Sequence, residues 1–186
     1  MRIVERIPQI GIWIVEDVWP ARVRTAAETL ASEPDVLWAE PNGRVQIAGI
    51  IPNDDFYQAQ QWNLRQIGLP EAWVLAKGED HTIAVIDTGV DLDHPDLAAK
   101  IWTNEGETDS NGIDDDGNGY TDDVHGWDFV SADGLPDDDH GHGSHVAGIA
   151  AAQTDNGAGV AGVAWESAIM PLRVLNRNGE GGWSDV

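Results

Sequence analysis

The stretch from Asp139 to Ala152 constrains the fold of this 186-residue chain more than any other. It sets three histidines, His140, His142 and His145, among glycines, and a run of small apolar residues follows them. Glycine lets the backbone take tight or left-handed turns, and the apolar run has no helix breaker after Gly148. We therefore predict a loop that turns into a buried helix. Such helices seldom begin with histidine for packing reasons alone, so this junction is a candidate functional site.

Two near-continuous apolar segments, Thr82–Ile86 and Ala168–Leu175, lie on either side of this helix in the sequence. Segments of this kind are typical of strands in a buried parallel sheet, and their alternation with helices predicts an α/β fold. The first segment runs directly into Asp87. A carboxylate at the carboxyl end of such a strand stands where open α/β sheets keep their active sites.

The first 47 residues predict a small α+β unit that would be marginal alone, because so short a chain buries little surface. Its predicted elements are a strand over Ile10–Val15, a helix over Pro20–Ser32, and short strands over Val36–Pro41 and Val45–Ile47. Residues 48–53, with Gly49 and Pro52, are predicted to form a linker. Residues 54–186 then form the larger domain.

The net charge of −23 argues against nucleic acid and anionic membranes as partners. Residues 101–140 alone hold 13 acids and no Lys or Arg, and charge of one sign repels itself. Bound calcium would relieve that repulsion; a solvated acidic surface of a salt-adapted protein is the alternative. The chain has no cysteine, which excludes disulfides, and no apolar run long enough to span a membrane.

One calcium site is predicted inside this acidic segment. Asp114, Asp116 and Asn118, followed by Gly119, match the first half of an EF-hand loop, with oxygens at alternate positions and a glycine turn. The EF-hand glutamate would fall at His125, so another carboxylate has to close the site. The remaining candidate ligands are Tyr120, Asp122 and Asp123.

Asp87 and a histidine together suggest nucleophilic catalysis. A carboxylate that bonds one imidazole nitrogen fixes the tautomer, so the other nitrogen can take a proton from a serine. Three alternatives stay open at this point. In the first, Asp87 only caps a turn. In the second, Asp87-Thr88-Gly89 is an aspartic-protease triplet, although that chemistry needs a second triplet. In the third, His140, His142 and His145 bind zinc, although Ser144 stands where the zinc motif has an aspartate.

Four blocks of sequence together resemble the subtilisin-like serine proteases. They are Asp87–Asp91, His94–Leu97, His142–Gly148 and Gly159–Ala164, in the family's order and spacing. The resemblance implies a three-layer parallel-sheet fold and a serine endopeptidase that cleaves proteins through an acyl-enzyme. It implies Asp87 as the orienting carboxylate and His142 as the general base. His145 falls on a position with a structural role in the helix, and His140 has no implied role.

The family's nucleophile block, Gly-Thr-Ser-Met-Ala, is the main departure. None of the six serines lies in such a context, and the asparagine of the oxyanion hole is missing too. We expect both to follow Val186, which makes this an N-terminal piece of the fold that does not hydrolyse peptides alone. The alternative from another class is a non-catalytic, calcium-stabilised pseudoprotease or inhibitor–chaperone module.

The resemblance also implies partners. Residues 1–47 are similar to an inhibitor-I9-like propeptide, which packs on its own enzyme as an intramolecular inhibitor, with the maturation cut between Gln46 and Pro52. Thermitase-like members of the family imply a secreted, monomeric, calcium-binding protease that acts on protein or peptide substrates. A signal peptide would then precede this chain.

Two further residue sets are implied by the same resemblance. A second calcium site would use Asp54, Asp96, Gln153, Asn156, Ala158 and Val160. An edge segment would pair with extended substrate by strand addition, and it consists of Gly179, Glu180, Gly181, Gly182 and Trp183. Within it, Trp183 would line a side-chain pocket and Glu180 would favour basic substrate residues.

Overall fold

The computed structural model describes residues 2–16, 22–42 and 48–182. These residues belong to two compact units, Met1–Ile47 and Ala48–Val186. The predicted strand over Val45–Ile47 and the pocket residue Trp183 lie outside the described residues.

The first unit contains an antiparallel hairpin and one helix. Strand β1 (Arg2–Ile7) pairs with β2 (Ile12–Glu16), and α1 spans Val23–Ala31. The predicted strand and helix are thus confirmed with shifted ends, but β1 was missed because its charged residues break up its apolar ones. The predicted strand at Val36–Pro41 is wrong. That segment has no regular structure, and Leu37 within it is fully exposed.

The second unit opens with three short helices, α2 (Tyr57–Gln60), α3 (Trp62–Gln66) and α4 (Leu69–Ala72). They are followed by β3 (Thr82–Asp87), a 3₁₀ turn (Ala98–Lys100), β4 (Trp127–Asp128), α5 (His142–Ala151) and β5 (Ala168–Arg173). The strands form a parallel sheet in the order β3-β5-β4. This confirms the predicted α/β fold with a parallel sheet.

The main core lies between α5 and the sheet. Ala147 and Ala151 of the helix are fully buried against Val85 of β3 and Ile169 of β5. Alanine is small enough to let the helix axis approach the sheet closely, and burial of these apolar groups removes them from water. The packing fixes the start of α5 next to the carboxyl end of β3.

A second core supports the segment before β3. Trp73 is almost fully buried, its ring centroid lies 5.1 Å from that of Trp165, and its Nε1–H donates to the Val163 carbonyl at 2.8 Å. Both the apolar body and the polar edge of the indole are therefore satisfied. Within the described residues, no helix is long and apolar enough to cross a membrane.

Candidate active site

Asp87 and His142 meet at the carboxyl end of β3. The Nδ1 atom of His142 lies 2.8 Å from Oδ1 and 2.9 Å from Oδ2 of Asp87. The Asp87 side chain is 12% exposed and the His142 side chain 58% exposed. When the Nδ1–H of an imidazole donates to a buried carboxylate, Nε2 stays free to accept a proton from a hydroxyl group.

The position of Asp87 follows from the strand that it ends. Its carbonyl accepts hydrogen bonds from the backbone N–H groups of Val174 and Leu175, which continue the β3–β5 pairing. Its side chain also accepts the Thr88 N–H at 2.7 Å. Hydrogen bonds thus fix both the backbone and the side chain of Asp87, which orients the carboxylate towards the imidazole.

Glycine is required where the start of α5 meets β3. A Cβ atom at Gly143 would collide with the Gly89 carbonyl and would lie 3.2 Å from the Asp87 Cβ. Gly89 itself has φ of +102°, in the region that favours glycine. The two backbones touch here, and this contact brings residue 142 within reach of Asp87.

The other two histidines of the cluster do not share this geometry. His145 lies on an exposed position of α5, and the ring centroid of His140 is 6.4 Å from that of His142. The one group of three potential metal-ligating side chains found among the described residues contains no histidine. The zinc interpretation of the cluster therefore has no support in the described part of the chain.

Asp138 organises the loop in front of His142. Its Oδ1 accepts hydrogen bonds from the Thr88 hydroxyl and from the N–H groups of His140 and Gly141, at 2.8 to 3.0 Å. Its Oδ2 accepts from both the N–H and the hydroxyl of Ser144, at 2.9 and 2.6 Å. Desolvation raises the pKa of Asp138, but the hydrogen bonds from Ser144, Gly141 and His140 outweigh it and lower the pKa to about 2.

This lowered pKa predicts an acid-dependent loss of stability. The folded-state pKa lies below the ordinary 3.8, so the stabilisation is complete above about pH 4 and is lost as the pH falls towards 2. After allowance for solvent screening we expect about 1 kcal/mol of unfolding free energy in this window. Urea unfolding of the wild type and Asp138→Asn between pH 2 and 5 measures it. The variant should depend less on pH, and equal pH dependence would contradict the assignment.

The predicted substrate segment borders a cavity at the same edge of the sheet. The cavity has a volume of about 330 Å³, and Glu180, Gly181 and Gly182 contribute to its lining. Its other lining residues are Phe129 and Val130 after β4, and Val174 and Asn176 after β5. A tight turn positions the segment, because the Asn176 N–H donates to the Glu180 carbonyl at 2.8 Å. Gly179 lies next to the His140 ring.

The structure brings the predicted Asp54–Asp96 calcium ligands together. Both carboxylates are buried, at 3% exposure each, and Asp54 Oδ1 has no hydrogen-bond partner. Burial raises the pKa of Asp54, and the neighbouring charge of Asp96 adds to this shift. Two buried carboxylates with an unpaired oxygen fit a cation whose preferred ligands are oxygens.

The loop of residues 153–160 wraps around these two carboxylates. Asp96 accepts the Asn156 side-chain amide at 2.8 Å and the Val160 N–H at 2.9 Å, and its carbonyl accepts the Gln153 N–H at 2.8 Å. The Ala158 N–H is bonded to the Asn156 side chain. A Cβ atom at Gly159 would collide with the Asp96 carboxylate. The loop thus closes tightly over the predicted site.

The same loop is tied to the end of the linker. The Asn53 N–H donates to the Asp155 carboxylate, the Asp155 N–H donates to Asp54 at 2.9 Å, and the Gly157 N–H donates to the Asn53 side chain at 2.7 Å. These bonds join residues about 100 positions apart in the sequence. They fix the start of the second unit.

In the acidic segment the structure adds a residue that sequence reasoning missed. Carboxylate oxygens of Glu107, Asp114 and Asp116 all lie within 4.8 Å of one another. Asp122 and Asp123, expected to close this site, are not in that group. Asp122 accepts the N–H groups of Asn111 and Gly112, and Asp123 accepts the side-chain amides of Asn104 and Asn118.

The two remaining predicted ligands, Asn118 and Tyr120, already form contacts within the protein. The Asn118 side-chain oxygen accepts the Tyr120 N–H at 2.8 Å, and the Tyr120 ring packs 4.9 Å from that of Trp127.

Glu107 lies seven residues before Asp114, outside the EF-hand spacing, so no pattern in the loop itself indicated it. Its side chain accepts the N–H groups of Asp116 and Asp122, which bends it back over the loop.

Comparison with known proteins identifies the family of this chain. Residues 78–186 match the model of the subtilase (peptidase S8) family. Thermitase from Thermoactinomyces vulgaris is 40% identical over 135 residues, which are 73% of this chain and 40% of thermitase. A thermophilic serine proteinase from Bacillus sp. (strain AK1) is 39% identical over 165 residues, 88% of this chain and 35% of that protein.

A solved structure is similar as well. A protease from Pseudoalteromonas arctica superposes with a TM-score of 0.54 at 31% identity, over 72% of this chain and 41% of that one. The described fold defines a class, the α/β proteins with a parallel sheet, here with an Asp–His pair at the carboxyl end of β3. Within that class the chain belongs to the subtilase family. It spans 40% or less of the curated relatives described above.

Proposed function

We propose that this chain supplies the acid–base half of a serine endopeptidase that cleaves proteins. The observation that carries the proposal is the contact of the His142 Nδ1 atom with both carboxylate oxygens of Asp87, at 2.8 and 2.9 Å. The imidazole itself is half-exposed. The match of residues 78–186 to the subtilase family supports it.

The chemistry follows from the two side chains. Asp87 holds the Nδ1–H tautomer of His142, so Nε2 can accept the proton of a serine hydroxyl as the oxygen attacks the scissile carbonyl. The resulting imidazolium is stabilised by the buried carboxylate, and it returns the proton to the leaving amine. An acyl-enzyme remains, and a water molecule activated in the same way hydrolyses it. None of the six serines in these 186 residues lies in the nucleophile context, so the proposal places the serine in sequence outside them.

A fluorophosphonate probe, which labels activated serines covalently, tests this function on the full-length protein that contains this chain. Labelling together with hydrolysis of a peptide substrate supports the endopeptidase. Absence of both, in a folded protein whose downstream sequence lacks a Gly-Thr-Ser block, favours the alternative of a calcium-stabilised pseudoprotease.

Substrate would lie along the cavity next to the Asp–His pair. Residues Gly179–Gly182 run beside it, and exposed backbone at such an edge can add a substrate strand. The Glu180 carboxylate supports a preference for basic side chains in this region. Secretion, a monomeric state and calcium as the bound cation belong to the same proposal.

The first unit is proposed to act as the propeptide, a cleavable intramolecular inhibitor. The division of contacts at Ile47 and the absence of regular structure in residues 48–53 support a cleavage region there. We predict that maturation of the full-length enzyme cuts between Gln46 and Pro52. N-terminal sequencing of the mature enzyme checks this, with His142→Ala as the control that should stay uncut. A mature N-terminus outside this window would contradict the prediction.

A further inference from the structure

We propose that Asp138 is a positioning residue that holds His142 against Asp87, an inference that rests on the proposed function. None of the hydrogen bonds of Asp138 among the described residues reaches the imidazole. It binds the two segments that carry the pair, which are the backbone after Asp87 and the first turn of α5.

The first link goes to the segment that follows Asp87. The Thr88 hydroxyl donates to Asp138 Oδ1 at 2.8 Å and accepts the Gly143 N–H at 2.9 Å. Thr88 is only 1% exposed. A buried hydroxyl thus joins the neighbour of Asp87 to the neighbour of His142, and Asp138 fixes the direction in which that hydroxyl donates its proton.

The second link goes to the start of α5. Helix starts leave backbone N–H groups without partners, and the residue before the helix normally supplies a side-chain acceptor. Here that residue is Gly141, which has no side chain, and φ of +96°. Asp138 replaces the missing cap, because it accepts the N–H groups of Gly141 and Ser144. Its negative charge also suits the positive end of the helix.

The Ser144 hydroxyl extends this network. It donates to Asp138 Oδ2 at 2.6 Å and accepts the Asp91 N–H at 2.9 Å. With the bonds from Thr88 and from three backbone N–H groups, the carboxylate accepts five hydrogen bonds in all. Because Asp138 is bonded both to the segment after Asp87 and to the first turn of α5, it sets the angle at which the imidazole meets Asp87.

The neighbouring Asp139 offers a matched control. It carries the same charge one position along, but its carboxylate forms one ion pair, with Arg173 at 2.9 Å, and its side chain is 48% exposed. Removing either carboxylate alters the local charge equally. A difference between the two variants therefore reports the hydrogen-bond network of Asp138 and not its charge alone.

The kinetic test uses the full-length enzyme. We expect Asp138→Ala to lower kcat about 100-fold, the size of effect that a small misplacement of a catalytic group produces, with KM within about twofold. Asp138→Asn keeps an acceptor for the bonds at Oδ1 and should lose only about 10-fold. Asp139→Ala should stay within about threefold. An Asp138→Ala variant no slower than Asp139→Ala would overturn the proposal, while peptidase activity of the wild type would leave the proposed function standing.

The spectroscopic test needs no serine and uses the 186-residue chain. The His142 Nδ1–H held by Asp87 should give a low-field proton resonance in the wild type and in Asp139→Ala. We expect it to be lost or weakened in both Asp138 variants, with circular dichroism as the check of folding. If Asp138→Ala does not fold, Asp138→Asn decides. An unchanged resonance in a folded Asp138 variant counts against the positioning role.

Discussion

Replacing His142 with alanine in the full-length protein should abolish peptide hydrolysis. In subtilisin, loss of the triad histidine costs about 10⁶ in kcat, and we expect a loss of that order here. The reason is geometric. Asp87 is buried and bonded to the Nδ1 side of His142, so the substitution removes the nitrogen, Nε2, that is proposed to take the serine proton. Hydrolysis of a chromogenic peptide, measured as kcat and KM, gives the result.

Two controls make this prediction specific. His145→Ala removes an exposed imidazole from the same helix and should change kcat by less than about threefold. The 186-residue chain should show no turnover, because none of its six serines lies in the nucleophile context. Turnover by this chain that disappears with His142 would mean that one of these serines is the nucleophile after all.

Chelation of the proposed calcium ions should lower the melting temperature of the full-length protein. A calcium concentration of 100 times the Kd of one site stabilises the fold by about 2.7 kcal/mol. One such site is then worth about 5–10 °C in a domain of this size. The Asp54–Asp96 site should dominate, because its two carboxylates are buried and one oxygen has no partner. Calorimetry with and without a chelator measures the shift.

Variants separate the two proposed sites. Asp96→Asn should reduce most of the chelator-induced shift, and Asp116→Asn should reduce a smaller part of it, because that site is more exposed. Asp93→Asn is the control, since it removes the same charge from an exposed position three residues before Asp96. A wild-type melting temperature that does not respond to the chelator would rule out calcium at both sites.

Sequence patterns predicted the elements that carry the Asp–His pair. Strands β3 and β5 are continuous apolar segments and α5 is a run of small residues, so local composition is enough to indicate them. The strand at Val36–Pro41 failed for the opposite reason. A local preference for extended structure forms no strand without a partner, and none pairs with it in the described residues.

The missed residues share a different cause. Glu107 reaches Asp114 and Asp116 from outside the EF-hand spacing, and Asp138 reaches Thr88 across 50 positions of sequence. Hydrogen bonds of this kind depend on how loops fold back on one another. A window of sequence records neither their direction nor their partners, so the pair was predictable and its supporting network was not.

The bonds between the end of the linker and the loop of residues 153–160 bear on how long the proposed protease would survive among copies of itself. Proteases attack frayed chain ends and mobile loops first. A cut upstream of Asn53 leaves a new terminus whose first residues are bonded to Asp155 and Gly157. In the proposed protease the terminus and the loop would therefore shield each other from self-digestion, and a cation at Asp54 and Asp96 would hold both in place.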